Sequence, residues 1–276
     1  MQMKTLINKI KQKKELKNIE NNYIIPIVKK ILSANPKLKK AFQQKRTRSK
    51  EYKEIIKKTR EKLRLEYGMF SENINKREKF LKELKNTLKQ KELNKKLLKT
   101  HKSTAERIDI YPFIYQKIFK ITGKPKKILD LGCGMNPVSF QYMKLKNITY
   151  YASELNKKDC EFLQKYFNLM KIKGKTFAIN LKKPELVEKI PLVDVCFLFK
   201  VLDTIEKKGH KLAEEILSKI KAKFIVASFA THKLGGKPMK HAHRGWLEKL
   251  LERKKWNFTL IQEANEIFYI IKKSTH

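Results

Sequence analysis

Apolar and polar positions follow two different patterns along this chain of 276 residues, and the change falls near residue 105. In the first part, apolar residues recur at helical intervals among charged ones, as between Tyr23 and Leu32 and again between Phe80 and Leu98. This spacing places the apolar side chains on one face of a helix and the charges on the other. We therefore predict an all-helical N-terminal domain over residues 1–105.

In the second part, short apolar and β-branched runs alternate with amphipathic segments. The runs predict strands over residues 127–131, 149–153, 176–180, 193–199, 224–229, 259–263 and 267–271. The segments between them predict helices over residues 137–145, 157–170, 204–220 and 241–254. Such alternation favours a parallel sheet with helices on both faces. The last two runs lie close together and predict a hairpin, so residues 106–276 are expected to form a Rossmann-like α/β domain.

The first predicted strand runs into a glycine loop, Asp130-Leu131-Gly132-Cys133-Gly134. Because glycine lacks a Cβ, this backbone can approach a nucleotide-like ligand, and doubly wound sheets bind ligands at the carboxyl ends of their strands. The second predicted strand ends in Glu154, about 20 residues later, where a carboxylate can hold both ribose hydroxyls. These features predict the class I S-adenosylmethionine (SAM)-dependent methyltransferase fold. A nicotinamide dehydrogenase is the structural rival, but the chain continues Asn136-Pro137-Val138 where that class has a third glycine.

The charge of the chain bears on its partner. Lys and Arg number 66 against 27 Asp and Glu, a net charge of +39, and residues 1–100 hold 31 of the basic residues against 10 Glu. Such an excess favours a polyanion, above all nucleic acid, and we predict that the helical domain over residues 1–105 docks on RNA or the ribosome. The densest basic run contains Lys45, Arg46 and Arg48, which we predict to form a loop that contacts phosphate. A lysine bias of the genome and a merely solvated helical face remain alternatives.

Cysteine and histidine usage argues against metal and nucleophile chemistry. Cys133, Cys160 and Cys196 are odd in number and scattered, which predicts neither a disulfide framework nor a zinc site. His241 and His243 have no cysteine near them in the sequence, so no metal is expected. Cys196 lies inside a predicted strand and is therefore expected in the core, not as a catalytic nucleophile.

The location of the protein is constrained by its hydropathy. No uninterrupted apolar run reaches the roughly 18 residues of a spanning helix, and the N-terminus begins no obvious signal peptide. A basic protein bound to a membrane surface is a further option. We expect a cytoplasmic protein without a membrane partner.

Four segments carry a resemblance to a known family. Residues 101–107 read H-K-S-T-A-E-R, residues 130–137 D-L-G-C-G-M-N-P, residues 197–202 F-L-F-K-V-L and residues 228–237 S-F-A-T-H-K-L-G-G-K. They resemble the H-x-S-T-x-E-R, D-x-x-C-G-x-N-P, F-K-L-L and S-F-P-T-x-S-L-G-G-R/K motifs of the aminoglycoside-resistance 16S rRNA methyltransferases of the Arm/Rmt type. A matching Trp246 and the run Glu266–Tyr269 follow. The order and spacing hold from about residue 20 onward.

The resemblance implies an activity. Members transfer a methyl group from SAM to N7 of a guanine in the decoding-site helix of small-subunit (16S) rRNA, within the assembled 30S subunit, and a monomer is expected. Guanine N7 carries a lone pair and no proton, so catalysis can consist of positioning the base without a general base. Two alternatives stay open: a methyltransferase for another rRNA or tRNA base, and a SAM-fold ribosome-maturation factor with little activity.

The resemblance also implies residue roles. Arg107 would pair with the SAM carboxylate, although a salt bridge between Arg107 and Glu106 is an alternative. The remaining cofactor contacts would come from Asp130, Gly132 and Gly134 at the methionine end, Glu154 at the ribose, and Leu155, Asn180 and Leu181 at the adenine. Asn180 stands where the family usually has aspartate. Lys200 would contact the target nucleotide, and Lys237 the RNA; Lys233 is either a phosphate contact or plain surface.

Overall fold

The computed structural model describes residues 2–17, 19–64, 74–85, 89–205, 209–232, 236–239 and 242–273. The chain forms two compact units, Met1–Ser71 and Glu72–His276. Among the described residues, no helix has both the length and the apolarity needed to cross a membrane.

The first unit is all-helical. Its helices are α1 (Gln2–Ile10), α2 (Asn21–Ser33), α3 (Pro36–Gln43) and α4 (Lys50–Leu63), with a 3-10 turn over Lys14–Leu16. Two of them begin at side-chain caps, because Asn35 accepts a hydrogen bond from the backbone of Leu38 and Ser49 from that of Tyr52. The apolar faces meet in a small core that includes Leu6, Ile24, Val28, Tyr52 and Ile55. The amphipathic pattern thus builds the helices that it predicts.

The second unit contains the sheet. Helices α5 (Ile74–Lys85), α6 (Gln90–Leu98), α7 (Lys102–Ala105) and α8 (Tyr111–Thr122) precede the first strand. Then follow β1 (Lys127–Leu131), a 3-10 turn (Asn136–Ser139), α9 (Phe140–Met143), β2 (Thr149–Glu154), α10 (Lys157–Leu169), β3 (Gly174–Ala178), a 3-10 turn (Pro184–Leu186), β4 (Val193–Phe199), α11 (Leu202–Ile205), α12 (Lys211–Lys219), β5 (Ala222–Ala230), α13 (Gly245–Arg253), β6 (Asn257–Glu263) and β7 (Glu266–Lys272).

The sheet has seven strands in the order β3-β2-β1-β4-β5-β7-β6. The first five strands run parallel, and β7 joins β5 antiparallel and pairs with β6 in a hairpin. Buried apolar residues cover both faces of the sheet, one core packing around Ile128 and Phe197 and the other around Leu129 and Leu198. The predicted Rossmann-like methyltransferase sheet with a helical N-terminal region is confirmed.

The chain divides into its compact units after Ser71, whereas the change of pattern that marked the predicted domains falls near residue 105. The difference arises because the apolar faces of α5 and α6 pack into the same core as the sheet, through Leu84 and Leu97. Arg77 of α5 also reaches α10, where its Nη1 lies 3.1 Å from Oδ1 of Asp159. An amphipathic pattern shows that a helix has an apolar face, but it does not show which core receives that face.

Most predicted elements agree with the structure within a few residues. The strands over 127–131 and 193–199 match β1 and β4, while β3 lies two residues before its predicted position. The helix predicted over 204–220 is two helices, α11 and α12. Gly209 and His210, with φ of 89° and 56°, lie just before α12, where the left-handed backbone cannot continue a helix. The helix predicted from residue 241 begins at Gly245.

Candidate active site

The glycine loop after β1 depends on its two glycines. Gly132 and Gly134 have φ of 61° and 53°, a region that side chains with a Cβ rarely adopt. A Cβ at Gly132 would lie 3.0 Å from Val201, and one at Gly134 would lie 2.6 Å from the ring of His101. Burial lowers the pKa of His101 to about 3, so this ring is neutral at physiological pH. The uncharged ring of His101 therefore packs against the glycine loop.

Asp130, the second-last residue of β1, has a buried carboxylate of which one oxygen accepts hydrogen bonds from protein groups. Its Oδ2 accepts hydrogen bonds from Asn136 Nδ2 and from the hydroxyl of Tyr150, both at 2.8 Å. Its Oδ1 is buried and has no hydrogen-bond partner among the described residues. Burial raises the pKa of Asp130 to about 6, and the two hydrogen bonds limit the rise. Since a buried acceptor without a donor is unfavourable, Oδ1 is suited to a ligand that brings a donor.

Glu154 ends β2 and is tied to the glycine loop. One carboxylate oxygen accepts from the backbone of Gly134 at 2.5 Å and the other from the backbone of Leu155 at 3.0 Å. Burial and the nearby charge of Asp159 raise the pKa of Glu154 to about 7, against the effect of these two bonds. Each carboxylate oxygen can accept more than one hydrogen bond, so Glu154 is still able to receive two hydroxyls.

The residues predicted at the adenine lie at the ends of β2 and β3. Leu181 is buried, and its Cδ1 is 3.7 Å from where a Cβ of Gly132 would stand, which places it beside the glycine loop. Asn180 Oδ1 accepts from the backbone of Lys182 at 3.0 Å and closes the turn after β3. Leu155, half-buried, follows Glu154 directly. The structure brings these residues to one edge of the sheet, and their contact with adenine stays a prediction.

Arg107 is buried and bound by protein groups. Its Nε lies 2.9 Å from both carboxylate oxygens of Glu266, and its Nη2 donates to the hydroxyl of Ser103 at 2.7 Å. Its guanidinium carbon stands 4.9 Å from the ring centre of Phe199. Burial alone would lower the pKa of Arg107, but the charge of Glu266 raises it above its usual value. The predicted contact of Arg107 with the SAM carboxylate stays a prediction. The alternative salt bridge with Glu106 is wrong, because Arg107 pairs with Glu266 and Glu106 pairs with another residue.

That residue is Lys200, on the turn after β4. Its Nζ lies 2.7 Å from Oε2 of Glu106 and 3.2 Å from Oε2 of Glu266, and its side chain is 10% exposed. Its φ of 57° turns the backbone sharply at this point. The ammonium group is thus held by two carboxylates. These contacts account for two of its three N–H donors, and its predicted contact with a target nucleotide stays a prediction.

Glu266 is the functional candidate that the sequence reasoning missed. It begins β7 opposite Ala230 of β5, is buried, and accepts from the hydroxyl of Ser228 as well as from Arg107 and Lys200. A glutamate directly before the five apolar residues of the strand predicted over 267–271 was the available signal. A charge in such a place is costly unless it is paired.

Asn136 is a second missed residue. Its side-chain amide donates to Asp130, and its oxygen accepts from the hydroxyl of Tyr111 at 2.8 Å. Tyr111 begins α8, four residues after Arg107. The Asn-Pro pair after the glycine loop therefore connects the carboxylate of β1 to the start of α8.

The predicted RNA-binding residues lie on the surface where they are described. Lys45, Arg46 and Arg48 are exposed in the turn between α3 and α4, and Lys237 is exposed in the segment after β5. Lys233 lies outside the described residues. Their exposure does not test whether these side chains contact RNA, so the assignment stays a prediction.

The segment after β5 is held by Arg244. Its guanidinium donates to Asp203 Oδ2 at 2.9 Å and 3.2 Å, and to the carbonyl oxygens of Ala230 at 3.0 Å and Ala242 at 2.7 Å. Through these hydrogen bonds, Arg244 connects the two ends of the segment between β5 and α13 to each other and to α11.

The cysteines are buried thiols. Cys133, Cys160 and Cys196 are free, and Cys196 lies within β4 with its pKa raised by burial. This is the core position that its apolar surroundings predict. His243 Nδ1 lies 3.1 Å from Glu248 Oε1, and His241 lies outside the described residues.

Comparison with solved structures supports the fold over nearly the whole chain. The 16S rRNA methyltransferase RmtF, in complex with S-adenosyl-L-homocysteine, aligns with a TM-score of 0.76 at 17% identity, over 99% of this chain and 98% of that one. The 16S rRNA methylase ArmA aligns with a TM-score of 0.57 at 26% identity, over 72% of this chain and 98% of that one.

Comparison of sequences gives the family. The family model described as ribosomal RNA methyltransferase (FmrO) matches residues 87–270. A 16S rRNA (guanine(1405)-N(7))-methyltransferase of Frankia casuarinae is 27% identical over 179 residues, which is 64% of this chain and 62% of that protein. An enzyme of the same name from Proteus mirabilis is 28% identical over 202 residues, 67% of this chain and 71% of that protein. The match thus spans less than two thirds of the Frankia relative.

The strand order and the glycine loop define a class I SAM-dependent methyltransferase fold. The chain belongs to the FmrO family of ribosomal RNA methyltransferases. The family predicted from the four motifs is confirmed.

Proposed function

We propose that this protein transfers a methyl group from SAM to N7 of a guanine in small-subunit rRNA, with the assembled 30S subunit in the cytoplasm as its substrate. The observation that carries the proposal is the buried Oδ1 of Asp130, which lacks a hydrogen-bond partner among the described residues. Asp130 lies near the end of β1, beside the glycine loop. The relatives named for this reaction support the choice of base and of RNA.

The residues present fit SAM. Asp130 Oδ1 is suited to the α-ammonium group, Glu154 to the two ribose hydroxyls, and the bare backbone of Gly132 and Gly134 to the chain between them. Leu155, Asn180 and Leu181 would hold the adenine, and Arg107 the carboxylate. SAM supplies a methyl group on a positively charged sulfur.

The protein's own groups act by binding and orientation. Guanine N7 needs no proton removed, so no general base is required, and the buried cysteines do not serve as nucleophiles. Arg107, Lys200, Glu106 and Glu266 form a paired cluster of two cations and two carboxylates. This cluster fixes the turn after β4 and the start of β7, on either side of the place where β5 ends.

Basic residues of each compact unit would bind the RNA. In the first unit the exposed Lys45, Arg46 and Arg48 can bind phosphate, and in the second Lys237, which is exposed, and Lys233 would contact the RNA. Such contacts place the RNA without reading its sequence. Choice of one guanine would then depend on the shape of the assembled subunit.

The experiment supplies labelled SAM to the purified protein with 30S subunits, free 16S rRNA or bulk tRNA. Label in 30S subunits alone supports the proposal. Label on tRNA alone would establish the alternative target. SAM binding by calorimetry with no label on any RNA would favour the maturation-factor alternative. Asp130→Ala is the matched variant, because it removes the proposed ammonium contact.

A further inference from the structure

The outward face of α8 combines an exposed aromatic ring with lysines. Phe113 is 61% exposed and Ile121 is 37% exposed, and both are large apolar side chains. Lys117 and Lys120 lie between them at helical spacing, and both are exposed. Exposure of a phenylalanine to this extent is unfavourable in water, so a ligand that covers the ring would be favoured.

The two ends of this face lie at opposite edges of the sheet. Tyr111, at the start of α8, donates to Asn136 in the loop after β1, at the edge where the parallel strands end. Lys117 Nζ lies 2.6 Å from Oε1 of Glu263, the last residue of β6, beside the same edge. Phe113 therefore stands at the edge that holds Asp130 and Glu154. Ile121 stands near the opposite edge, because the chain enters β1 soon after it.

The composition of the face favours RNA over protein as its ligand. Interfaces between proteins have apolar centres from which lysine is depleted, whereas here lysines separate the two apolar residues. Aromatic rings that stand among cations are the usual platform for unstacked bases. Among the nearby carboxylates, Glu106 and Glu263 are paired with Lys200 and Lys117, which limits their repulsion of phosphate. Asp109, exposed four residues before Phe113, adds one negative charge beside the lysines of this face.

The geometry points to Phe113 as a stacking platform for an unpaired nucleotide next to the target base, with Lys120 on the adjoining phosphate. This inference rests on the proposed function for the identity of the RNA. A target base must leave its stack to reach a methyl donor, and an aromatic ring at the same edge would hold the neighbouring nucleotide apart from it.

The test compares Phe113→Ala and Phe113→Trp in binding to purified 30S subunits over a range of salt concentrations. Phe113→Ala should weaken binding by roughly tenfold, since one stacked base contributes about that much, and Phe113→Trp should retain it. The slope of log affinity against log salt should not change in Phe113→Ala, because no phosphate contact is lost. Lys120→Gln should lower that slope by about one.

Two exposed apolar residues serve as matched controls. Ile121→Ala lies on the same helix at the far edge, and Leu192→Ala lies just before β4 at that edge, where Leu192 is 59% exposed. Both should bind 30S subunits as the wild type does. Equal losses in all three alanine variants, or wild-type binding by Phe113→Ala, would overturn the inference. So would a dimer of the wild type that Phe113→Ala converts to a monomer with RNA binding unchanged.

Binding and methylation are measured on the same samples. Wild-type protein that binds 30S subunits through Phe113 but transfers no methyl group would contradict the proposed function and support the stacking platform. Wild-type protein that methylates 30S subunits, with Phe113→Ala unchanged in its KM for them, would support the function and overturn the platform.

Discussion

Arg107 and Glu266 are 159 positions apart in the chain, yet Nε of Arg107 lies 2.9 Å from both carboxylate oxygens of Glu266. Both side chains are buried, and Lys200 approaches the same carboxylate. The pair joins the segment before α8 to the start of β7, beside the end of β5. The edge of the sheet that carries the proposed active site is therefore held by charge pairing as well as by strand pairing.

Removal of the carboxylate should strongly destabilise the protein. Glu266→Gln leaves Arg107 without its buried counter-ion, and loss of one partner of a buried pair costs about 3–5 kcal/mol. Chemical denaturation measures the free energy of unfolding. Glu188→Gln is the control, since Glu188 pairs with Lys219 at the surface and its loss should change nothing measurable. Equal stability of the two variants would contradict the role of the buried pair.

A side chain at Gly134 should abolish the glycine loop's geometry. In Gly134→Ala the new methyl group would overlap the ring of His101, and the left-handed backbone alone costs about 1–2 kcal/mol. SAM affinity measured by calorimetry should fall by more than about tenfold. Gly245→Ala, where a Cβ meets nothing within 4 Å, should bind SAM normally. Normal SAM binding by Gly134→Ala would refute the proposed position of the loop.

SAM affinity should depend on pH through Asp130 and Glu154. Their pKa values of about 6 and about 7 mean that both take up protons as the pH falls through this range. Only the ionised carboxylates suit an ammonium group and two hydroxyls, so affinity should decrease as the pH is lowered from about 8 to about 5. The free energy of unfolding of the unliganded protein changes with pH in the opposite direction. Because burial raises these pKa values, stability of the unliganded protein decreases as the pH rises through them.

Two variants separate the contributions of Asp130 and Glu154 to the pH dependence of SAM affinity. Asp130→Asn should remove the component near pH 6, and Glu154→Gln the component near pH 7, in calorimetric titrations with SAM. Each variant should also bind more weakly at high pH. A wild-type affinity that does not vary with pH would rule out both assignments.

Asn180→Asp should strengthen SAM binding by a few-fold. The backbone of Lys182 would still donate to an aspartate oxygen, so the turn after β3 is kept. The added charge would improve acceptance of a hydrogen bond from the exocyclic amine of adenine. Asn180→Ala, which loses both the turn and the acceptor, should bind more weakly than the wild type. If Asn180→Asp binds SAM no better than Asn180→Ala, the residue does not contact the adenine.

The sequence was sufficient for the elements whose pattern is local. Strands β1 and β4 are mostly apolar, with Lys127 and Asp130 in β1 and Asp194 in β4, and the glycine loop and Glu154 are recognisable from residue type and spacing. The pairing of Arg107 and Lys200 with Glu266 was not predictable. Glu266 is distant from both in the chain and lies next to them only because β7 pairs with β5. For the same reason the core that receives α6 could not be inferred from its amphipathic pattern. Local periodicity fixes helices and strands, while long-range pairing depends on the sheet order.

The position of the methyl group on the RNA distinguishes methylation of guanine N7 from methylation of any other atom. 30S subunits are incubated with the protein and SAM, and their 16S rRNA is then cleaved with borohydride and aniline, which cut the chain at 7-methylguanine. We expect one new cleavage at a decoding-site guanine, present with the wild type and absent with Asp130→Ala. Methyl incorporation without any aniline cleavage, or cleavage at equal strength with Asp130→Ala, would contradict the proposed function.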